Sequence, residues 1–258
     1  MPSDRSERTK YREKEYWEQR FEEESHDDES AKHDWFSQYD AFRHHVTKIC
    51  PPSTIKSILV LGCGNSSLSA ELLKDYPQAI ITSSDYSPVV INYMKEKYKD
   101  IPNLKWSVED IRDLNNSQCY DMVIEKGVLD ALVAGSQSPW PNELDASCKE
   151  DVDRAIKSIA TVVRDEKRFL SISFASPMLR KPLLFRRFDV TAHSFLGSFT
   201  GFEYYVYECK AHGKTDEEID AENDAAEQLL KTQPIYEYSE PIPEDVNVID
   251  VFGFDFDP

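Results

Sequence analysis

The chain has 258 residues and carries 30 Lys+Arg against 48 Asp+Glu, a formal net charge of −18. Its length fits one large domain, or one domain with an appendage. Apolar residues make up 40% and aromatics 12%, which is enough for a core and excludes a wholly disordered chain.

No apolar run reaches the length of a membrane-spanning helix. The opening segment, MPSDRSERTKYREKEYWEQR, has no apolar stretch of the secretory kind and is too acidic for an organelle transit peptide. Cys50, Cys63, Cys119, Cys148 and Cys209 form no C-x-x-C pair, so neither a disulfide framework nor a structural zinc site is expected. Reduced thiols in the cytoplasm, or the nucleus, are the simple reading. The acidity disfavours nucleic acid, whose phosphates need a basic face, and suits a basic protein partner better. The expected protein is a monomer that binds neither nucleic acid nor membrane and uses no metal.

Taken in chain order, residues 7–24 read as a helix with Tyr16, Trp17 and Phe21 near one face. Residues 35–49 read as a second helix, with Trp35, Phe36, Tyr39, Phe42 and Val46 at helical spacing and Pro51 and Pro52 as the stop. His44 and His45 fall on its surface side. Between the two helices, the acidic run at 22–30 reads as a solvated loop. SILVL at 57–61 is a buried strand that runs into Gly62, and a helix follows at 68–74. Residues 79–83 form a strand ending near Asp85, and Pro88 opens the next helix. Residues 104–108 and 120–125 are strands, 149–164 a helix and 168–174 a fifth strand. Residues 190–196 and 202–209 flank a Gly-containing turn and read as a hairpin. The last 45 residues, 214–258, hold 14 acids and two lysines, so two-thirds of the excess charge lies there. They read as an acidic, partly disordered appendage to a domain spanning 1–213, with one helix possible only over DEEIDAENDAAEQLL.

Alternating strands and helices imply an α/β fold of the Rossmann-like, doubly wound kind: a seven-stranded, mostly parallel sheet closed by an antiparallel hairpin. Such sheets bind ligands beyond the carboxyl ends of their strands, so those ends carry the functional reading. After the first strand, Gly62-Cys63-Gly64 allows a sharp turn and close backbone approach to a ligand. The third glycine of G-x-G-x-x-G is replaced by Ser67, which weakens a pyrophosphate cradle. Asp85, 21 residues beyond Gly64, is placed to accept both hydroxyls of a ribose, with Tyr86 beside the sugar or base. After the third strand, Asp110 can accept from an adenine amino group, and Ile111 can offer an apolar face. After the fourth come Glu125, Lys126 and Asp130, with Lys126 beside a ligand carboxylate or ring. A dinucleotide and S-adenosylmethionine both satisfy this set. The hairpin finish and the missing glycine favour the second.

Five stretches carry a more specific likeness: Tyr16–Phe21 (YWEQRF), His33–Phe36 (HDWF), LVLGCGNS at 59–66, Asp85-Tyr86-Ser87, and EKGVLDAL at 125–132. On these the chain resembles the seven-β-strand S-adenosylmethionine-dependent methyltransferases. Within them it is similar to the lysine methyltransferases of translation elongation factor 1-alpha, in the branch associated with an endothelin-converting enzyme. The likeness spans about residues 11–210. It implies S-adenosylmethionine as cofactor and elongation factor 1-alpha as a basic protein substrate. It also implies that Trp17, Phe21 and Trp35 close over the ligand from the N-terminal helices, and that Gly62 and Gly64 line the methionine side. Asp85 and Tyr86 would then meet the ribose, Asp110 and Ile111 the adenine, and Lys126 the cofactor. Phe21 stands where those relatives usually carry Tyr, which keeps the ring and removes one hydroxyl.

A lysine acceptor with an ordinary pKa of about 10.4 must lose its proton before it can attack. Glu125 and Asp130 are the nearest carboxylates for orienting that amine or relaying the proton, and they form the candidate catalytic pair. A methyltransferase of small molecules or of another protein shares this fold, because fold does not fix the acceptor. So does a binding protein that retains the pocket without catalysis.

Overall fold

Ile58–Leu61 is apolar at successive positions rather than alternate ones, so a strand made of it needs cover on both faces. The computed structural model supplies that cover. It describes residues 8–25, 35–114, 119–197, 201–213, 217–219 and 221. Among these a seven-stranded sheet is formed by β1 (Ser57–Leu61), β2 (Ile80–Asp85), β3 (Leu104–Val108), β4 (Tyr120–Lys126), β5 (Val163–Ser173), β6 (Phe188–Leu196) and β7 (Glu203–Ala211). The order is β3-β2-β1-β4-β5-β7-β6. The first five in that order pair in parallel. β7 runs antiparallel to β5, and β6 antiparallel to β7. The expected sheet, mostly parallel with a closing hairpin, is the one observed.

The helices are α1 (Lys14–Ser25), α2 (Tyr39–Ile49), α3 (Leu68–Asp75), α4 (Pro88–Lys97), α5 (Val128–Val133), α6 (Ala146–Val162) and α7 (Pro177–Leu184). Strand side chains alternate between the two faces. Ile58 and Val60 of β1 join Phe42 and Val46 of α2, Leu72 of α3 and Met94 of α4 on one side. Leu59 and Leu61 join Leu129 of α5, Val152 and Ile156 of α6 and Leu184 of α7 on the other. Each fully buried side chain of this size contributes roughly 1.5–3 kcal/mol. Along α6, Cys148, Val152, Ala155, Ile156, Ile159 and Val162 are buried at helical spacing, which fixes the face it turns to the sheet.

The elements depart from the sequence reading at identifiable places. Trp35 and Phe36 precede α2 instead of opening it, and Phe36 is left-handed at φ 70°. α6 hands directly to β5 at Val163, and the pairing of β4 with β5 shifts register between Tyr120 and Met122. β-Branched Val162 and Val163 suit the change from helix to strand there. α5 and α7 have six and eight residues, too few for a periodic signal, and α7 contains Pro182. Residues 22–25 of the acidic run belong to α1; residues 26–30, with His33 and Asp34, lie outside the described residues. So do residues 222–258 of the expected appendage, whereas Ile219 within it is buried at 4% exposure.

The sheet order reverses between β1 and β4, which is where a doubly wound sheet opens a crevice. Register then sets what surrounds it. Leu61 pairs with Ser84 and Glu125, and Asp85 with Val108. Gly62, Asp85, Glu109 and Lys126 therefore sit at one edge of the sheet.

Candidate active site

The turn after β1 is left-handed twice, at Gly62 (φ 54°) and Gly64 (φ 49°), a conformation that side-chain-bearing residues rarely adopt. A Cβ on Gly62 would lie 2.2 Å from Cγ2 of Val128, so glycine lets α5 pack directly on the turn. The Gly64 N–H donates to Oδ2 of Asp85 at 3.0 Å, and the Ser87 N–H donates to Oδ1 at 3.0 Å. Asp85 is buried, and that burial raises its pKa to about 6 against the pull of the backbone N–H groups of Ser87, Gly64 and Tyr86. A carboxylate has about four acceptor positions. Asp85 thus keeps capacity for the hydroxyls of a ligand.

At the end of β3, the Glu109 N–H donates to the Asp85 carbonyl at 3.0 Å. The next residue, Asp110, is gripped by Arg112 through Nε at 2.9 and 3.1 Å, Nη2 at 2.7 Å and its backbone N–H at 2.9 Å. Burial pushes the Asp110 carboxyl upward, but the hydrogen bonds from Arg112 outweigh it and hold the pKa below the ordinary value. Asp110 is an ionised acceptor at neutral pH.

Aromatic rings roof the other side. Trp17 and Phe21, one helical turn apart on α1, stack with centroids 5.9 Å apart, and Trp35 lies 5.5 Å from Trp17. Trp35 comes from the loop before α2, not from a helix as the sequence reading had it. The Trp17 indole N–H donates to the Tyr11 carbonyl at 2.8 Å, and Nζ of Lys126 donates to the Trp35 carbonyl at 2.6 Å. Lys126 thus holds the roof to the end of β4. Arg20 lies 5.7 Å from the Trp17 ring and 5.6 Å from the Trp35 ring, a cation–π arrangement. It pairs with Glu24 at 2.6 Å, and Glu24 accepts from Asn65 Nδ2 at 2.7 Å, which ties α1 to the glycine turn.

These parts enclose one cleft of about 1180 Å³, open solvent at its mouth included. Trp17, Phe21, Trp35, Gly62, Gly64, Asp85, Tyr86, Asp110, Ile111 and Lys126 all line it. Arg12, Arg20, Glu24 and Arg112 line it as well and were absent from the sequence reading. Arg20, three residues beyond Trp17, and Arg112, two beyond Asp110, carried a local signal in their spacing. Arg12 carried none.

Glu125 and Asp130 are not in the lining. Alternation along β4 turns Lys126 toward Trp35 and sends Glu125 to the opposite face of the sheet. There it accepts the Val128 N–H at 2.8 Å and the Ser171 hydroxyl. Burial, then the nearby Asp130, raises its pKa to about 7, with Arg180 opposing. Asp130 lies 2.6 Å from Arg180 and accepts the Ser173 hydroxyl at 2.7 Å. Both carboxylates therefore sit beneath the cleft, where they fasten α5 and α7 to the sheet.

Among the described residues no group of three His, Cys, Asp or Glu side chains is placed to hold a metal ion, and no helix is long and apolar enough to cross a membrane. The lining suits a nucleoside. It offers carboxylate acceptors at Asp85 and Asp110 for hydroxyl and amino donors, flat apolar surfaces from the indoles and Ile111, and a turn with glycine at positions 62 and 64.

Comparison with known proteins agrees with this architecture. Residues 54–231 match the family model described as a methyltransferase domain. Over 201 residues the chain is 35% identical to EEF1A lysine methyltransferase 4 of Mus musculus, covering 76% of this chain and 75% of that protein. The Bos taurus protein of the same name is 38% identical over 172 residues, covering 66% of this chain and 64% of that one. Among solved structures, the N-methyltransferase NodS of Bradyrhizobium japonicum WM9 with S-adenosyl-L-homocysteine superposes with a TM-score of 0.51 at 15% identity. It covers 76% of this chain and 98% of that one. The glycopeptide N-methyltransferase MtfA, also with S-adenosyl-L-homocysteine, gives 0.53 at 14% identity, covering 70% and 92%. The structural likenesses speak to the fold. The matches in sequence go further: this chain belongs to the methyltransferase-domain family, in the group of the EEF1A lysine methyltransferases.

Proposed function

We propose that this chain is an S-adenosylmethionine-dependent protein-lysine N-methyltransferase whose acceptor is translation elongation factor 1-alpha. The observation that carries the reading is the cleft at the strand ends, in which a buried Asp85, an ionised Asp110, a glycine turn at 62 and 64 and an aromatic roof converge. The acceptor is supported by the names of the relatives that this chain resembles over most of its length. We read the protein as a cytoplasmic monomer that acts on a basic protein surface and binds neither nucleic acid nor membrane.

When bound, S-adenosylmethionine supplies an electrophilic methyl group on a sulfonium with a good leaving group. The chain's own residues bind, orient and keep water out. Asp85 accepts ribose hydroxyls, and Asp110 accepts the base amino group with Ile111 against the ring. The Gly62–Gly64 turn brings backbone close to the ligand. Trp17, Phe21 and Trp35 cover it, with Lys126 holding Trp35 in place. Positioning of this kind accounts for up to about 7–11 kcal/mol of barrier lowering in well-aligned systems. A dry aromatic entrance also favours the neutral form of an incoming lysine, because desolvation penalises its ammonium. Glu125 acts through the backbone: by accepting the Val128 N–H it fixes the turn that carries Gly127 beneath the roof.

The test is labelling with a radioactive methyl donor. Purified protein should label elongation factor 1-alpha in a lysate, and a lysine-to-arginine change at the modified position should abolish the band. Labelling confined to low-mass metabolites favours a small-molecule methyltransferase. Calorimetric binding of the donor with no transfer to any component favours a non-catalytic binding protein.

A further inference from the structure

The N-terminal segment is joined to the base-side wall of the cleft by a chain of alternating charges. Nη2 of Arg12 lies 2.8 Å from Oδ2 of Asp151. Nη1 of Arg112 lies 3.1 Å from Oδ1 of the same Asp151. Arg112 in turn grips Asp110, with Nη2 at 2.7 Å from Oδ2. The participants come from three separate parts of the chain: the turn before α1, the loop after β3, and α6. Arg12, Arg112 and Asp110 line the cleft, and Asp151 stands behind them. Each Asp151 oxygen serves a different arginine. Its side chain and that of Arg12 are each 17% exposed, so the pair is shielded from bulk water and salt. A second contact shows how closely the segment is seated. A Cβ on Gly135, just past α5, would lie 2.8 Å from Cα of Thr9.

We propose that Asp151 is a positioning residue that fastens the N-terminal segment over the adenine side of the cleft, so that seating the segment and gripping the ligand become one event. The inference rests on the cofactor reading above. Without the Asp151 carboxylate, Arg12 is left with the Ser147 hydroxyl at 3.2 Å, and the two guanidinium groups face each other with no charge between them. The roof residue Trp17 shares the segment with Arg12, since its indole is anchored on the Tyr11 carbonyl. Freeing Arg12 therefore loosens the roof and the Asp110 wall together.

The full chain carrying Asp151→Asn tests this with S-adenosylhomocysteine as the probe. Calorimetry should show its dissociation constant rising roughly tenfold, as expected for the loss of one shielded charge-assisted contact. Trypsin, followed by mass spectrometry, should cut at Arg12, Lys14 and Arg20 several-fold faster without ligand, and added ligand should suppress the cuts less well. The Michaelis constant for the protein acceptor should not move, and Asp151→Glu should restore binding and protection. Arg12→Gln combined with Asp151→Asn should be no worse than Asp151→Asn alone, because Asp151→Asn already breaks the link that Arg12→Gln removes. Additive losses overturn the proposal. So does an equal decline in melting temperature, cofactor binding and acceptor binding, which marks Asp151 as merely structural. If the unaltered chain fails to bind the probe, the cofactor reading falls. If it binds and Asp151→Asn binds equally well, the clasp alone falls.

Discussion

Asp85 accepts the Gly64 N–H at 3.0 Å on one oxygen and the Ser87 N–H at 3.0 Å on the other, so one carboxylate joins the turns that leave β1 and β2. Its remaining acceptor capacity faces the cleft that it lines. Asp85→Ala should therefore weaken S-adenosylhomocysteine binding by about 1–3 kcal/mol, the usual loss when a charged acceptor leaves hydroxyl donors unpaired. Calorimetry measures the change, and circular dichroism checks that the fold is kept. Equal affinity in a folded variant would remove Asp85 from the site.

The same residue predicts a pH dependence. Burial raises the Asp85 pKa from 3.8 to about 6, so the folded chain holds this proton more tightly than the unfolded chain does. Its contribution to stability accordingly falls as pH rises from about 4 to about 6. Ligand affinity runs the other way, because ribose hydroxyls need the ionised acceptor. S-adenosylhomocysteine should bind roughly tenfold more tightly at pH 7 than at pH 5 and change little above that. In Asp85→Asn this slope should vanish. A wild-type profile that is flat across the range contradicts the assignment.

Gly62 stands at φ 54°, where a Cβ would lie 2.2 Å from Cγ2 of Val128. Gly62→Ala meets two penalties at once. The left-handed backbone costs about 1–2 kcal/mol for an L residue. Forcing a methyl group into a packed contact typically adds about 1–3 kcal/mol. Denaturant unfolding should show a loss in that combined range, and cofactor binding should weaken because α5 is pushed off the turn. Gly64→Ala provides a comparison with the same backbone strain, because its Cβ would lie 3.6 Å from the Phe21 ring, an ordinary contact. If both substitutions cost the same, the clash with Val128 is not what makes Gly62 necessary.

How much of this was legible in the sequence depended on the range of the contact. Gly62, Asp85, Asp110 and Lys126 were readable because each sits at or just past the carboxyl end of a strand, and a parallel sheet brings those ends to one edge. Glu125 shares that neighbourhood in sequence, yet alternation along β4 sends it to the other face, and only register decides which of two adjacent residues meets the cleft. Trp35 and Phe36 fit a helical spacing, but the chain reaches them before α2 begins. Arg180, on a helix too short for a periodic signal, is buried against Asp130. Arg12 and Asp151 are 139 residues apart, and no local pattern announces their pairing.

That buried Asp130–Arg180 pair yields another expectation. Arg180 is 1% exposed, and its Nη2 lies 2.6 Å from Oδ1 of Asp130. Removing one member strands the other's charge in the interior, which costs about 3–5 kcal/mol, whereas replacing both with apolar residues is often neutral. Asp130→Ala should destabilise the chain by that amount in denaturant titrations, and Asp130→Leu with Arg180→Met should recover most of the loss. If Asp130 instead relays a proton in catalysis, the double variant will be stable and inactive. If it serves the sheet alone, the stable double variant will retain its turnover number.

The acidic end of the chain bears on the acceptor. Residues 214–258 carry 14 acids and two lysines, while Ile219 is buried at 4% exposure. A truncation that tests charge should therefore stop after residue 221 and leave Ile219 in place. Given a basic acceptor surface, removing 222–258 should raise the acceptor's Michaelis constant several-fold at low ionic strength, with the turnover number unchanged. The difference should shrink as salt is added, because the screening length falls from about 30 Å at 0.01 M to about 8 Å at 0.15 M. A Michaelis constant that the truncation leaves alone at every salt concentration would confine this charge to solubility and take it out of substrate recognition.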